Sequence, residues 1–132
     1  MNQIIKKITA YLMILTAILS VPTISNSQNR AQDREIRQEI RFARGSNSKI
    51  IKKQIRRGFS HTYTLRAKRG QRMQVVLTTR GETSFTVYSP SGVIDEADGV
   101  KNWRGDLDES GEYQITIGTD TTTNYTLEVA IK

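Results

Sequence analysis

The chain contains no cysteine, and this absence excludes several kinds of site. Without thiols the protein has no disulfide bonds and no thiolate ligands for a metal ion. A lipobox cysteine, to which a lipid anchor would be attached, is absent as well. The fold must therefore be stabilised by apolar packing and by hydrogen bonds between strands.

Groups that support catalysis or bind metal ions are scarce. His61 is the only histidine, and no carboxylate lies within twenty residues of it in the sequence. A single histidine cannot hold a metal ion alone, and its alternation with apolar neighbours predicts a position on the core side of a strand. No Gly-x-Ser-x-Gly nucleophile motif is present. The sequence predicts no catalytic residue, no metal site and no cofactor, and it indicates that the protein is not an enzyme.

The N-terminal 27 residues have the features of a secretory signal peptide. Residues 1–7 carry two lysines and no acid, and residues 8–21 are largely apolar. This apolar stretch is shorter than the roughly 20 residues that a membrane helix needs, and small residues follow at Ser25 and Ser27. We predict cleavage after Ser27, export to the periplasm or the exterior, and no membrane span in the mature chain. An uncleaved N-terminal anchor is the alternative.

The predicted mature chain has the length of a single domain. Its 105 residues are enough for one modest core, since a domain of this size buries roughly two-thirds of its unfolded surface. Residues 28–34 are polar and predict a flexible leader, which places the folded domain at residues 35–132.

Alternation with a period of two predicts an all-β domain. Glycine-rich turns separate the segments, which is typical of an antiparallel β-sandwich with Greek-key or jelly-roll topology. For the first segment an amphipathic helix over residues 32–44 is the alternative, because Ile36 and Ile40 also have helical spacing. About eight strands are predicted, in the regions 36–42, 49–55, 59–67, 73–77, 85–87, 93–94, 113–117 and 125–131, and residues 103–107 are a candidate for one more.

Two connections predict local hairpins. Residues 68–71, Lys-Arg-Gly-Gln, join the third and fourth segments, and Gly70 suits a tight turn between antiparallel strands. Residues 118–124 are mostly threonine and predict a hairpin loop between the last two strands.

Charge is distributed unevenly along the chain. Residues 40–81 contain twelve lysines or arginines and no acid, whereas residues 82–132 contain ten acids and three bases. Two separate charged surfaces would attract anionic or acidic partners. Interleaved strands would instead bring opposite charges together, so the sequence leaves both arrangements open. The basic face comprises Lys52, Lys53, Arg56, Arg57, Arg66, Lys68, Arg69, Arg72 and Arg80.

An anionic envelope glycan is a candidate partner for this basic face. Nucleic acid is not favoured, because stacking would need exposed aromatic residues, and alternation turns Phe59 and Tyr63 inward. The acidic loops could bind calcium if their carboxylates converged, but they lack EF-hand spacing, and solvated turns are the simpler interpretation. These acids are Asp95, Glu96, Asp98, Asp106, Asp108 and Glu109.

Four segments together resemble a bacterial pre-peptidase C-terminal type domain and, through it, the periplasmic inhibitors of goose-type lysozyme. They are Ile-Arg-Phe-Ala-Arg-Gly at 40–45, Thr-Tyr-Thr-Leu-Arg-Ala-Lys-Arg-Gly-Gln at 62–71, Ser-Gly-Glu-Tyr at 110–113 and Asn-Tyr-Thr-Leu at 124–127. The resemblance implies a β-sandwich and an exported, non-enzymatic binding module. Its target would be a protein, of which a lysozyme is the most concrete candidate, or an envelope glycan.

The resemblance also implies candidate binding residues. Ser110, Gly111 and Tyr113 match the Ser-Gly-x-Tyr element of several lysozyme-inhibitor families. Independently of the resemblance, the basic residues Arg56, Arg57 and Arg69 are candidates to meet the catalytic carboxylates of a lysozyme. The inhibitors carry a long, arginine-bearing loop between their last two strands, whereas residues 118–124 are short and lack arginine.

Two other functions stay open at this stage. One is a structural or stability-assisting envelope protein without a discrete target, and a more remote one is a small hydrolase. The sequence does not determine the oligomeric state.

Overall fold

Alternating apolar and polar side chains build two facing β-sheets in the computed structural model, which describes residues 35–132. The predicted signal peptide and flexible leader lie outside these residues. A short 3-10 turn spans Asp95–Ala97. The strands are β1 (Glu35–Glu39), β2 (Ser48–Ile55), β3 (Ser60–Ala67), β4 (Arg72–Thr79), β5 (Thr83–Ser89), β6 (Gly92–Val93), β7 (Asn102–Asp106), β8 (Gly111–Thr119) and β9 (Thr123–Ile131).

The strand order confirms the predicted all-β sandwich. One sheet has five strands in the order β1-β3-β8-β5-β6, and the other has four in the order β2-β9-β4-β7. Strands β2 to β9 are thus shared equally between two antiparallel sheets, as in a jelly roll. β1 is an addition at one edge and pairs in parallel with β3. Among the described residues, no helix is long and apolar enough to cross a membrane.

Both predicted hairpins are wrong. β3 pairs with β1 and β8, whereas β4 pairs with β7 and β9, so residues 68–71 cross from one sheet to the other. Residues 120–122 likewise connect β8 and β9 across the sandwich. A local turn signal fixes where the chain reverses, but the choice of partner depends on strands far away in sequence. Facing sheets about 10 Å apart can be bridged by a short turn as readily as neighbouring strands.

The core lies between the inner faces of the two sheets. Phe85, Ile115 and Ile117 of the five-stranded sheet are fully buried, as are Leu127 and Val129 of the four-stranded sheet. Fully burying one such side chain contributes roughly 1.5–3 kcal/mol relative to leaving it exposed. Alternation therefore predicts the core positions well, including the inward position of His61.

The first strand is shorter than predicted. It ends at Glu39 instead of continuing to residue 42, and the helical alternative is not adopted within residues 35–44. Ile40 follows the strand and is buried, while its backbone N–H donates to the carbonyl of Thr64. Ile36 is 43% exposed because β1 is an edge strand with one neighbour.

A buried polar cluster of His61, Tyr63 and Tyr125 interrupts the apolar core near the edge strand β1. The hydroxyl of Tyr125 is 2.6 Å from Nδ1 of His61 and 2.5 Å from the hydroxyl of Tyr63. Burial, and secondarily the nearby ammonium of Lys53, lowers the pKa of His61 below its ordinary value. Burial also raises the pKa of Tyr63 and Tyr125. The cluster satisfies its own polar groups, so it is compatible with a stable core.

The sandwich has two ends that carry different connections. The Ser110 end contains the connections 40–47, 68–71, 90–91 and 107–110. The Arg57 end contains the connections 56–59, 80–82 and 120–122. β3 runs from the Arg57 end to the Ser110 end, and its eight residues separate the two by roughly 25 Å.

Candidate functional site

The Ser110 end presents an exposed turn that is fixed by hydrogen bonds from a neighbouring connection. The backbone N–H of Arg69 donates to Oγ of Ser110 at 2.8 Å. The N–H of Gly70 donates to the carbonyl of Leu107, and the N–H of Leu107 donates to the carbonyl of Gln71. Ser110 itself is exposed, and its O–H has no acceptor among residues 35–132. The turn is held in one conformation and can still donate a hydrogen bond to a partner.

Gly111 is required at this turn for two separate reasons. Its φ of 147° is a backbone conformation that residues with a side chain rarely adopt. A Cβ at this position would also lie 2.8 Å from Cγ of Pro90, inside van der Waals contact. The glycine therefore allows the 107–110 connection to pack directly on the turn that follows β5.

Tyr113 supports the turn from below. Its side chain is buried, and its hydroxyl donates to the backbone carbonyl of Glu109 at 2.7 Å. Burial raises the pKa of the Tyr113 hydroxyl, which keeps it protonated and able to donate. Tyr113 stays a predicted binding residue, but at 1% exposure its ring offers a partner almost no surface. Its hydroxyl instead fixes the position of the residues next to Ser110.

A second support comes from the Glu109 side chain. The hydroxyl of Ser91 donates to Oε2 of Glu109 at 2.7 Å, and this bond holds the pKa of the carboxyl below its usual range. Both groups are at the surface, so the contact is expected to orient the turn more than to stabilise the fold. Sequence reasoning missed Pro90, Ser91 and Glu109 as parts of this site, because no motif links them to the Ser-Gly-x-Tyr element.

The surface around Ser110 contains two adjoining concave regions of opposite charge. One has a volume of about 530 Å³, and the residues lining it include Arg66, Lys68, Ser110 and Gly111. The other has a volume of about 560 Å³, and its lining includes Trp103 and five acids, Asp95, Glu96, Asp106, Asp108 and Glu109. No group of three or more histidines or acids within residues 35–132 is arranged to hold a metal ion.

The predicted cations are divided between the two ends. Arg69 lies in the connection that contacts Ser110, so these two candidates are brought together. Arg56 and Arg57 lie at the opposite end, where the N–H of Arg57 donates to Oγ1 of Thr122. Arg56 and Arg57 are therefore not brought together with Ser110 and Arg69 at one end of the sandwich, and their role in binding stays a prediction. β3 lies between residues 57 and 69 and separates them by its full length.

The basic and acidic halves of the sequence are interleaved rather than separated. β9 and β7 come from the acidic half and pair with β2 and β4 from the basic half. Arg72 and Asp106, for example, face each other on β4 and β7 and form an ion pair at 2.7 Å. The threonine-rich residues 118–124 lie beside Arg57, away from Ser110.

Comparison with known proteins identifies similar solved structures. No protein-family model and no curated protein matches the chain. The crystal structure of Aeromonas hydrophila PliG, a periplasmic lysozyme inhibitor of g-type lysozyme, matches with a TM-score of 0.68 and 27% sequence identity. The match covers 75% of this chain and 98% of that protein.

Two further inhibitors have the same fold. A PliG mutant from Escherichia coli matches with 23% identity and a TM-score of 0.61, over 74% of this chain and 99% of that one. PliG from Salmonella Typhimurium matches with 21% identity and a TM-score of 0.62, over 74% and 98% of the two chains. Both are described as periplasmic inhibitors of g-type lysozyme. The resemblance to these inhibitors, first indicated by four short segments, is confirmed at the level of the fold.

Proposed function

We propose that this chain is an exported, non-enzymatic protein that binds and inhibits a g-type lysozyme. The observation that carries this proposal is the similarity to Aeromonas hydrophila PliG over 98% of that inhibitor's length, at 27% identity. The similar structures are inhibitors of an enzyme, and they are periplasmic. Export of this chain also agrees with the predicted signal peptide.

The turn at Ser110 is the proposed contact surface. The Ser110 hydroxyl donates to no acceptor within residues 35–132, and Arg66, Lys68 and Arg69 supply positive charge on the same side. Enzymes that cleave glycosidic bonds use paired carboxylates in a cleft. Lysine and arginine form strong hydrogen bonds with carboxylates, so a basic turn entering the cleft would compete with substrate for these groups.

Rigidity of the turn would increase affinity. The bonds from Arg69 N–H to Ser110 and from the Tyr113 hydroxyl to Glu109 fix the connection before any partner arrives. A loop that is already ordered loses less conformational freedom on binding, and the saved free energy appears as tighter association. Gly111 contributes by allowing close contact with Pro90.

Titration of a g-type lysozyme with the purified protein tests this function. We expect saturable inhibition at micromolar or lower concentration, with one inhibitor bound per enzyme. Full lysozyme activity in the presence of excess micromolar protein would contradict the proposal.

A pair of serine variants tests the contact surface. Ser110→Ala removes the acceptor for the Arg69 N–H and the free donor, so we expect the inhibition constant to rise about tenfold. Ser60→Ala is the matched control, because Ser60 lies at the other end of β3, opposite Gly118. Equal effects of the two substitutions would contradict a contact at the Ser110 end.

The competing function is a structural envelope protein without a discrete target. Such a protein would leave lysozyme fully active and would not bind it in a one-to-one complex. Isothermal titration of the two purified proteins distinguishes these functions independently of the activity assay.

A further inference from the structure

The outer face of the four-stranded sheet contains a groove at the Arg57 end. The groove has a volume of about 680 Å³ and crosses β2, β9 and β4. Lys52, Thr126 and Thr78 form one row across it, since Lys52 pairs with Thr126 and Thr126 pairs with Thr78. The other residues that line it are Lys53, Gln54, Thr79, Arg80, Thr123, Asn124 and Tyr125.

Cations lie on both sides of this groove. Lys52 belongs to β2 and Arg80 follows β4, whereas β9 between them contributes only uncharged polar side chains to the groove. Strands separated by one neighbour are about 10 Å apart, so a linear chain lying along β9 would pass between the two cations. Arg56 and Arg57 extend the basic surface beyond the end of β2.

The positive charge of the groove is not neutralised within residues 35–132. Within residues 35–132, ion pairs join Arg37 to Glu35, Arg41 to Glu39 and Arg72 to Asp106. None of these pairs lies at the groove. No carboxylate of the described residues lines the groove. The acidic residue that follows on the outer face of β9 is Glu128, which is opposite Ile50 and not Lys52. A cationic depression of this kind concentrates anions from solution.

The uncharged residues of the groove indicate which class of anion it would bind. Thr78, Asn124, Thr126 and Gln54 offer hydroxyl and amide groups, each able to donate and accept hydrogen bonds. Such groups complement the hydroxyls of a sugar chain. Tyr125 is 98% buried, so the groove has no exposed aromatic face on which a nucleobase could stack.

We propose that this groove binds an anionic polysaccharide, with Lys52 and Arg80 contacting its acidic groups and the polar row of β9 contacting its hydroxyls. The groove lies at the opposite end of the sandwich from Ser110. The inference therefore does not depend on the lysozyme contact, and one chain could make both contacts at once.

Binding of two anionic polymers tests the proposal directly. Fluorescence anisotropy with the purified protein would use labelled dextran sulfate and polygalacturonate, and unsulfated dextran as the neutral probe. We expect saturable binding to both anionic polymers, weakening as salt is added, and no binding to neutral dextran. The proposal would be overturned if the protein bound neither anionic polymer at low salt.

Matched charge variants separate a site from general attraction. Lys52→Gln with Arg80→Gln removes two positive charges at the groove, and Arg44→Gln with Lys132→Gln removes two exposed charges at the other end. We expect the first pair to weaken binding about tenfold and the second less than about twofold. Equal losses would overturn the groove as the site, because net charge alone would then explain binding.

A second variant tests recognition of the sugar itself. Thr78→Val with Thr126→Val keeps the charge and the shape of the strands but removes two hydroxyls from the groove. We expect weaker binding to both polysaccharides and unchanged binding to a single-stranded thymidine oligonucleotide. Wild-type protein that binds the oligonucleotide as tightly as the polysaccharides would contradict the proposed class of ligand.

Discussion

The two ends of the sandwich differ in how they are built. At the Ser110 end, side chains bond to the backbone of neighbouring connections, so that Arg69, Ser110 and Tyr113 belong to one fixed unit. At the Arg57 end, Thr122 likewise accepts from the N–H of Arg57, but the adjoining groove is lined by cations and by no carboxylate of residues 35–132. The surface around Ser110 carries both signs of charge, which suits a contact that depends on how groups are arranged, whereas a groove of one sign suits a contact dominated by charge.

We propose two independent binding surfaces on one scaffold. The Ser110 end is the proposed lysozyme contact, and the Arg57 end carries the proposed polysaccharide groove. A change confined to one end is expected to leave the other unchanged, since distant sites with no shared partners act additively. The same reasoning predicts that damage to the shared core affects both.

A core substitution should have the largest effect. Leu127→Ala removes a fully buried side chain from β9, and we expect a loss of about 2–5 kcal/mol in the free energy of unfolding, measured in urea. Glu128→Ala, at the exposed neighbouring position, should stay within about 0.5 kcal/mol of wild type. Both binding activities should decline together as Leu127→Ala unfolds. If the folded Leu127→Ala protein lost only one of the two binding activities, the core would not support both surfaces equally.

Replacement of Gly111 should have the next largest effect, and this effect should be confined to the Ser110 end. Gly111→Ala introduces both an unfavourable φ and a contact with Pro90, for an expected cost of about 1–3 kcal/mol. Lysozyme inhibition should weaken, whereas polysaccharide binding by the folded fraction should not change. Gly118→Ala is the control, because no atom lies within 4 Å of its added Cβ. Equal destabilisation by the two changes would refute the special role of Gly111.

Removal of the Tyr113 hydroxyl should have a smaller effect. Tyr113→Phe eliminates the bond to the Glu109 carbonyl and should reduce the free energy of unfolding by about 0.5–1.5 kcal/mol. Because the turn becomes less ordered, inhibition should weaken more than stability alone explains. Tyr88→Phe, which alters a half-buried tyrosine with no hydroxyl bond among residues 35–132, is the control. An unchanged inhibition constant for Tyr113→Phe would show that the support is dispensable.

Acidification should have the smallest effect. It should change the free energy of unfolding through His61 in the core, not the contacts at either end. Burial lowers the pKa of His61 below its ordinary value of 6.5, so the folded protein binds fewer protons there than the unfolded chain. The contribution of His61 to the free energy of unfolding is fully present above about pH 6.5. It is lost as the pH falls towards the lower pKa of His61 in the folded protein. Urea unfolding at several pH values should show this slope in wild type and a flatter one in His61→Gln. Identical slopes would argue against the assignment, since His61 is the only histidine.

Local patterns predicted the strands better than their partners. Alternation located β3 and β4 because an inward side chain recurs at every second residue, and this property is visible in a single strand. Pairing was missed because β3 bonds to β8, whose residues lie far along the chain. A turn signal such as Gly70 is equally consistent with a hairpin and with a crossing between sheets.

The same limit applies to the candidate site. Ser110 and Arg69 are separated by 41 positions, so only the folded chain reveals their hydrogen bond. The separation of Arg57 from Arg69 was accessible from sequence, because a strand between two residues carries them to opposite ends of a sandwich. The supporting roles of Pro90 and Glu109 follow from close contacts between three connections, and no sequence period encodes such contacts.

The most direct measurement compares two charge reversals in the lysozyme inhibition assay. Arg69→Glu and Arg57→Glu each reverse one exposed arginine in a connection adjoining β3, but at opposite ends. We expect Arg69→Glu to raise the inhibition constant about tenfold or more and Arg57→Glu to change it less than about twofold. Equal effects, or a larger effect of Arg57→Glu, would contradict the assignment of lysozyme binding to the Ser110 end.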